Sequence, residues 1–355
     1  MNRTEHSLNL LNTNNGFSIK HILKCPQTSI IIALIILYAI LMVVAPSFFN
    51  TSNLVNVIRQ ASTMIIIGIG ITFILSAGVI DLSVGSLACM GAIIGSSFLT
   101  GQAGGGMEMP ILPLAAAVIV GIVVPALFGS INGLVITKLN LPPFIVTMAM
   151  MEAARGIILV FTKGYPVSNL PEKAINIGRG SAMGIPYTVY ITIVLLIIFG
   201  SILSRTKFGR HVYAVGGNEE CARLSGVKVE KVKIILYTLN GALAGIAGLL
   251  VAFRMASAQI SIGETYGMDA ITACCLGGTP LGGGKGYMIG TVLGSLFLVS
   301  LSTGFNLMGV SIYWQQIIKG VVLVIAIAMS SREKLGIGKK NKVKQHKNIV
   351  KEKNK

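Results

Sequence analysis

The sequence predicts an all-α polytopic membrane protein with about ten transmembrane helices, arranged as two inverted halves of five. Three observations carry this. Of 355 residues, 53% are hydrophobic and 12% charged, with a mean hydropathy of +0.77, more apolar surface than a soluble domain of this size can cover. Several apolar runs reach the roughly 20 residues that a helix needs to cross about 30 Å of hydrocarbon. Finally, 42 glycines and one tryptophan suit close-packed helices, whereas an aromatic-girdled barrel would alternate and lack long apolar runs.

Taken in order, residues 1–28 are polar, Asn-rich and weakly basic, and no small-residue cleavage site follows the first apolar run. This reads as a retained cytoplasmic tail leading into a signal-anchor helix. The expected spans are 29–45, 61–77, 84–99, 111–136, 144–161, 187–203, 234–252, 265–276, 287–303 and 311–329. The eighth is too short to cross as a regular helix unless surrounding protein covers its ends. The chain thus divides into a cytoplasmic tail (1–28), a permeation domain (29–330) interrupted by a polar loop at 205–233, and a basic tail (331–355).

Charge sets the orientation. Ten crossings that start inside leave 22 Lys/Arg on the cytoplasmic side against five opposite, namely Arg59, Lys163, Lys173, Arg179 and Arg254. Both termini are then cytoplasmic. Omitting the eighth span would put the last tail outside, against its charge. A net charge of +17 alone would suit a nucleic-acid partner, but +8 of it lies between Arg332 and Lys355, beside a span. A basic juxtamembrane tail obeys the positive-inside rule and suits anionic lipid instead.

Five spans starting inside, then five starting outside, is the arithmetic of an inverted repeat. Short echoes agree. IDLSVG at Ile80–Gly85 matches ISIG at Ile260–Gly263 after the second and seventh spans, and GQAGGG at Gly101–Gly106 matches LGGG at Leu281–Gly284 after the third and eighth. Asn132 and Asn306 lie near the ends of the fourth and ninth.

The loop at 205–233 is a net-basic polar island of 29 residues between long apolar segments. It holds a compact helix signal. Asn218 is an N-cap, Glu219 and Glu220 place negative charge at the positive end of the helix dipole, Arg223 lies toward the far end and Gly226 is the stop. Two turns are too few to stand alone in water, so the membrane body above and a partner below are expected to hold them.

Chemistry is sparse. GTPLGGGKG at Gly278–Gly286 fails as a phosphate-binding loop, with Thr279 in place of the first glycine and Gly286 in place of the magnesium-binding hydroxyl. It reads as a tight connection between close-packed spans. Cys25, Cys89, Cys221, Cys274 and Cys275 have no CxxC spacing and no histidine companions, which argues against a metal site or disulfide framework. Within the spans, Glu152 and Arg155 lie three apart and suggest an ion pair. Asp81 suggests an N-terminal cap or dipole partner for the third span, with Asp81 or Ser83 at its start. Asp269 and Lys319 have no local partner, so either they pair with each other or Lys319 snorkels. No nucleophile elbow, HExxH or carboxylate cluster points to an enzyme; passage of a solute, driven from outside the chain, fits better.

Four segments in order, GVIDLSVGS (78–86), GGNEECARLSGVKVEKVKI (216–234), AITACCLGGTPLGGGKG (270–286) and GFNLMGVSIYWQQIIKG (304–320), resemble the permease subunits of bacterial ABC importers for monosaccharides, the ribose permease group in particular. The resemblance runs from about 47 to 329. It implies an inner-membrane permease paired with a second permease, as a homodimer or as a heterodimer with a sister permease, an ATPase with tandem nucleotide-binding domains below, and a soluble sugar-binding protein above. It also implies that ATP and magnesium bind the ATPase, with no cofactor in this chain. In such importers a cytoplasmic helix of the form E-A-A-x-x-x-G fits a groove on the ATPase. Glu220, Cys221, Ala222 and Gly226 occupy that frame, with Cys221 in place of alanine. The expected coupling residues are Gly217, Asn218, Glu219, Glu220, Arg223, Leu224 and Gly226, and the candidate passage-lining residues are Asn132, Asn240, Thr272 and Asn306. The competing readings are a permease for another solute (autoinducer-2, a nucleoside or a branched-chain amino acid) and an ion-coupled secondary transporter.

Overall fold

The computed structural model describes residues 26–332, which form thirteen α-helices with short connections and two small hairpins. The expectations for the tails 1–28 and 331–355, but for their innermost residues, lie outside the described residues. All ten expected spans are helices: α1 (Pro26–Val44), α2 (Thr51–Ser76), α3 (Val84–Thr100), α4 (Leu114–Lys138), α5 (Pro143–Thr162), α7 (Tyr187–Arg205), α10 (Val229–Met255), α11 (Tyr266–Leu276), α12 (Met288–Leu307) and α13 (Ile312–Arg332). Among the described residues, seven are long and apolar enough to cross a membrane, whereas α3 and α11, with 17 and 11 residues, are shorter. The polar island holds α8 (Lys207–Gly217) and α9 (Glu219–Leu224).

Two boundaries move. The second span begins at Thr51, ten residues before the expected 61, because Asn53, Asn56, Arg59 and Gln60 break the apolar pattern without breaking the helix. The Arg59 guanidinium is used at the surface, donating to the Arg179 carbonyl at 2.6 Å. The seventh span begins at Val229, five residues before the expected 234, and its first turn buries Val229, Val232 and Lys233. An amphipathic helix without a sequence-level expectation, α6 (Glu172–Arg179), lies against the far end of α10, where Arg179 donates to the Arg254 carbonyl at 2.6 Å.

Of the seven long apolar helices, the two most buried, α2 and α10, form the axis. Every residue of α2 from Ala61 to Ser76 is buried, as is most of α10 beyond Asn240. Around them α1, α4, α5, α7 and α13 expose Ile36, Val123, Val160, Ile197 and Val324, as surfaces meeting lipid do. Backbones approach closely through small residues. On α4, Gly121, Pro125, Gly129 and Gly133 recur every fourth residue and meet Gly245, Gly241, Tyr237 and Ile234 of α10, so the two helices run antiparallel. A Cβ added at Gly129 would overlap the Tyr237 carbonyl, and one at Gly241 the Pro125 carbonyl.

The contacts exchange when the two halves are swapped. As α10 packs on α4, α2 packs on α12; as α3 packs on α4 and α5, α11 packs on α12 and α13. The echoed sequences meet at the centre: a Cβ on Gly85 would overlap the Gly263 carbonyl, and one on Gly263 the Gly85 carbonyl. Reciprocal contact between equivalent residues is the mark of a two-fold relation. Gly263 also has φ +85°, which only glycine adopts without strain.

At this meeting point two short helices begin. With 17 and 11 residues, α3 and α11 rise about 25 and 16 Å at 1.5 Å per residue. Each is reached through non-helical chain, 77–83 and 256–265. Protein covers part of this irregular backbone: Ala258, Ile262 and Gly263 are buried, Val167 bridges Ala258, and the Cys89 thiol donates to the Ile260 carbonyl at 3.2 Å. That is how an eighth element too short for a regular span is accommodated.

Candidate functional site

Two features stand out: a lever of α8 and α9 projecting from one side, and a polar node at the lead-in to α3. The lever is built locally. Thr206 caps α8 by accepting from Gly209 N at 3.2 Å, and Asn218 caps α9 by accepting from Cys221 N at 2.9 Å. After α9, Val227 N donates to the Ala222 carbonyl and Gly226 N to the Arg223 carbonyl, both at 3.0 Å, a Schellman closure. It requires the left-handed conformation that Gly226 adopts, with φ +84°. A Cβ there would meet open space, so glycine is set by the backbone and not by crowding within the chain.

Six residues of helix need anchors, and α10 supplies them. Glu219 accepts from Lys233 at 2.8 Å, and Arg223 pairs with Glu230 at 2.9 Å and with Glu219 at 3.4 Å. The exposed Arg223 pairs are individually worth about 0–1 kcal/mol, whereas Lys233 is largely buried and ties α9 to the first turn of α10. Only Ala222 of α9 is buried. Gly217, Asn218, Glu219, Glu220, Arg223 and Gly226 are all exposed, and Leu224 is 80% exposed, an apolar side chain at the tip.

The other half of the lever is wedged into the helix ends. Gly216 of α8 lies against the Ser76 carbonyl that closes α2 and against Gly284, whose N–H donates to that same carbonyl at 2.9 Å. Gly283 in turn abuts Gly78. The glycine-rich segment is therefore the close-packed connection expected from its sequence. Tyr213 donates to the Gly286 carbonyl at 3.3 Å, and the Phe208 and Phe73 rings lie 6.4 Å apart. The lever thus touches the ends of α2 and α10 and the α11–α12 connection.

The polar node centres on Asp81, which is fully buried. Its carboxylate accepts from Ser83 N at 2.9 Å, Ser83 Oγ at 2.6 Å and Asn240 Nδ2 at 2.8 Å. Asn132 Nδ2 donates to Ser83 Oγ at 2.9 Å, and Tyr237 donates to the Ile80 carbonyl at 3.0 Å. Asp81 thus turns the chain at Ser83 instead of capping α3 directly, and staples the lead-in to α4 and α10.

The passage-lining candidates separate. Asn132 and Asn240 come together in this node at 0% exposure, so as placed neither faces a passage. Thr272, 3% exposed, donates to the Met268 carbonyl of its own helix, and only Asn306 is exposed, accepting from Gln315 Nε2 at 2.8 Å. Asp269 and Lys319 do pair, at 3.1 Å between α11 and α13, at the edge of a cavity of about 170 Å³ that Arg254, Tyr266 and Gln60 also line. Glu152 and Arg155 do not pair. The guanidinium instead donates to the Ile260 carbonyl and, at 3.4 Å, to that of Ile262, because the 256–265 segment presents carbonyls that no helix satisfies. Sequence reasoning missed Lys233, Glu230, Tyr213 and Gly216. Only the first two left a signal, as charges within a turn of the expected helix.

A helical body of paired halves, with half-helices meeting at its centre and a lever tied to its axis, is the architecture of a membrane transport subunit. The chain belongs to the family described as the permease component of branched-chain amino acid transport systems, which matches residues 53–327. It is 38% identical over 308 residues to the ribose import permease protein of Escherichia coli (strain K12), covering 85% of this chain and 93% of that one. It is 40% identical over 304 residues to the ribose import permease protein of Bacillus subtilis (strain 168), covering 85% and 92%. It is 33% identical over 315 residues to the galactose/methyl galactoside import permease protein of Escherichia coli (strain K12), covering 86% and 94%. No solved structure matches.

Proposed function

We propose that this chain is the membrane subunit of an ATP-driven importer that passes a ribose-like monosaccharide from a soluble binding protein to the cytoplasm. The observation that carries the reading is the likeness to ribose import permeases along 85% of the chain. On this reading it sits in a bacterial inner membrane with both termini and the lever in the cytoplasm, beside a second permease copy. An ATPase with tandem nucleotide-binding domains docks below and holds the ATP and magnesium.

Gly217, Asn218, Glu219, Glu220, Arg223, Leu224 and Gly226 form the contact with the ATPase, with Leu224 as its apolar anchor. Nucleotide binding draws the ATPase domains together, and α9 follows its groove. The Glu219–Lys233 and Arg223–Glu230 pairs carry the motion into α10, while Gly216 and Tyr213 carry it into α2 and the α11–α12 connection. The passage between the copies then opens outward to take sugar from the binding protein, and hydrolysis resets it. The basic tail rests on anionic lipid.

Reconstitution tests this. Proteoliposomes holding the permease and its ATPase are expected to accumulate D-ribose only with ATP and the binding protein. Uptake driven by an ion gradient through the permease alone would overturn the reading. Accumulation of leucine or a nucleoside but not ribose would keep the class and replace the solute.

A further inference from the structure

Among the described residues, one charge at the middle of a span meets the surface and not an internal partner. Glu152 is the tenth of twenty residues in α5, about 14 Å from either end at 1.5 Å per residue, and it is exposed. Arg155, one turn along, is taken up by the carbonyls of Ile260 and Ile262. A carboxylate at the centre of a span is costly in hydrocarbon, so a surface that displays one does not face lipid.

A second, independent observation lies across from it. The segment 256–265 is irregular backbone at membrane depth, fixed there by the Gly263–Gly85 contact at the start of α3. Such backbone occurs only inside protein or along a water-filled cavity. Ile262 and Gly263 are buried, but Ser261, Glu264 and Thr265 are exposed. Glu152 and Glu264 both line one cavity of about 270 Å³, whose remaining wall includes Ser86, Met151, Arg155 and Met268. Two elements from different halves of the chain thus direct carboxylates into one space at mid-depth.

We propose that Glu152 and Glu264 form the charged waist of the solute passage, closed on its open side by the second permease copy. The proposal rests on the transport reading above and replaces the buried asparagines as the lining. The two carboxylates accept hydrogen bonds from the hydroxyls of a neutral polyhydroxy solute, and the flexible Met151 and Met268 side chains adapt to its apolar faces. Arg155 is a positioning residue that holds the 256–265 segment against α5.

Cysteine accessibility in membranes tests the waist without needing transport. In a background with Cys25 and Cys221 replaced by serine, the remaining Cys89, Cys274 and Cys275 are buried. Glu152→Cys, Glu264→Cys and, as a lipid-facing control in the middle of α7, Val194→Cys are then exposed to a membrane-impermeant maleimide. Maleimide reacts with the thiolate, which forms in water and not in hydrocarbon, so Glu152→Cys and Glu264→Cys are expected to label at least about tenfold faster than Val194→Cys. Because the two positions lie on separate segments, a folding defect in one leaves the other to decide. Labelling of a folded variant no faster than the control overturns the proposal, whether lipid or a tight dimer contact covers the site. Failure of the unsubstituted protein, assembled with its ATPase and binding protein, to import sugar would count against the transport reading instead, and labelled waist positions would still mark a water-filled path.

Discussion

Replacing Asp81 with alanine probes the node that fixes the lead-in to α3. The carboxylate accepts from Ser83 N, Ser83 Oγ and Asn240 Nδ2 in a site sealed from solvent. The Ser83 hydroxyl can rotate to another acceptor, but the backbone N–H and the amide cannot. Two buried donors lose their partner, at about 1–3 kcal/mol each, so Asp81→Ala is expected to cost ~2–6 kcal/mol. For a chain of this length that corresponds to a fall of roughly 3–8 °C in apparent melting temperature, read in detergent by fluorescence-detected size exclusion. Asp81→Asn should be milder. Asn240 Oδ1 has no hydrogen-bond partner, and turning the Asn240 amide would let that oxygen accept from the new amide. A double-mutant cycle with Asn240→Ala is expected to return about 1–3 kcal/mol of coupling, because the double variant leaves no orphaned donor on α10. An Asp81→Ala protein that melts with the parent, or strictly additive substitutions, would refute the node.

Further outcomes follow from the lever and the outer ion pair. Gly226→Val forces a β-branched residue into φ +84°, a strain of about 1–3 kcal/mol. It is expected to unwind the end of α9 and to abolish ATP-driven uptake while the helical body still purifies, which co-purification of the ATPase would report. Gly216→Ala places a methyl against the Ser76 carbonyl and Gly284, both backbone. Overpacking of this kind costs about 1–3 kcal/mol, and coupling of ATP hydrolysis to uptake should fall further than the melting temperature alone explains. Lys319→Met strips Asp269 of its ion-pair partner on α13. It is expected to destabilise more than the double variant with Asp269→Asn, since an unpaired charge at depth costs more than a missing pair; equal melting temperatures would contradict this.

Much of the architecture was legible because the bilayer leaves few choices. Apolar length and the basic tails were enough to place ten helices, and the shortness of α11 already required covering protein. Asp269 and Lys319 were legible for a related reason: two charges at depth with no local partner must find each other. The reading failed where partners come from irregular backbone. Spacing alone paired Glu152 with Arg155, and nothing in the sequence reveals that Ile260 and Ile262 turn carbonyls outside any helix toward the guanidinium. It failed similarly for Asn132 and Asn240. Polar residues in apolar runs look like lining, yet burial beside Asp81 turns them into internal staples. The early start of α2 and the presence of α6 stayed hidden because polar helical ends carry the same composition as loops.

The central claim is that motion enters this permease through α9, and a reversible cross-link reads it most directly. Leu224, 80% exposed at the tip of the lever, is replaced with cysteine in a transporter assembled with its ATPase and binding protein. Oxidation against cysteines placed along the ATPase groove is expected to join the two subunits and halt ATP-driven uptake, and reductant should restore it. An importing transporter in which the Leu224→Cys thiol never joins the ATPase, or reacts only with reagent added from the binding-protein side, would contradict it.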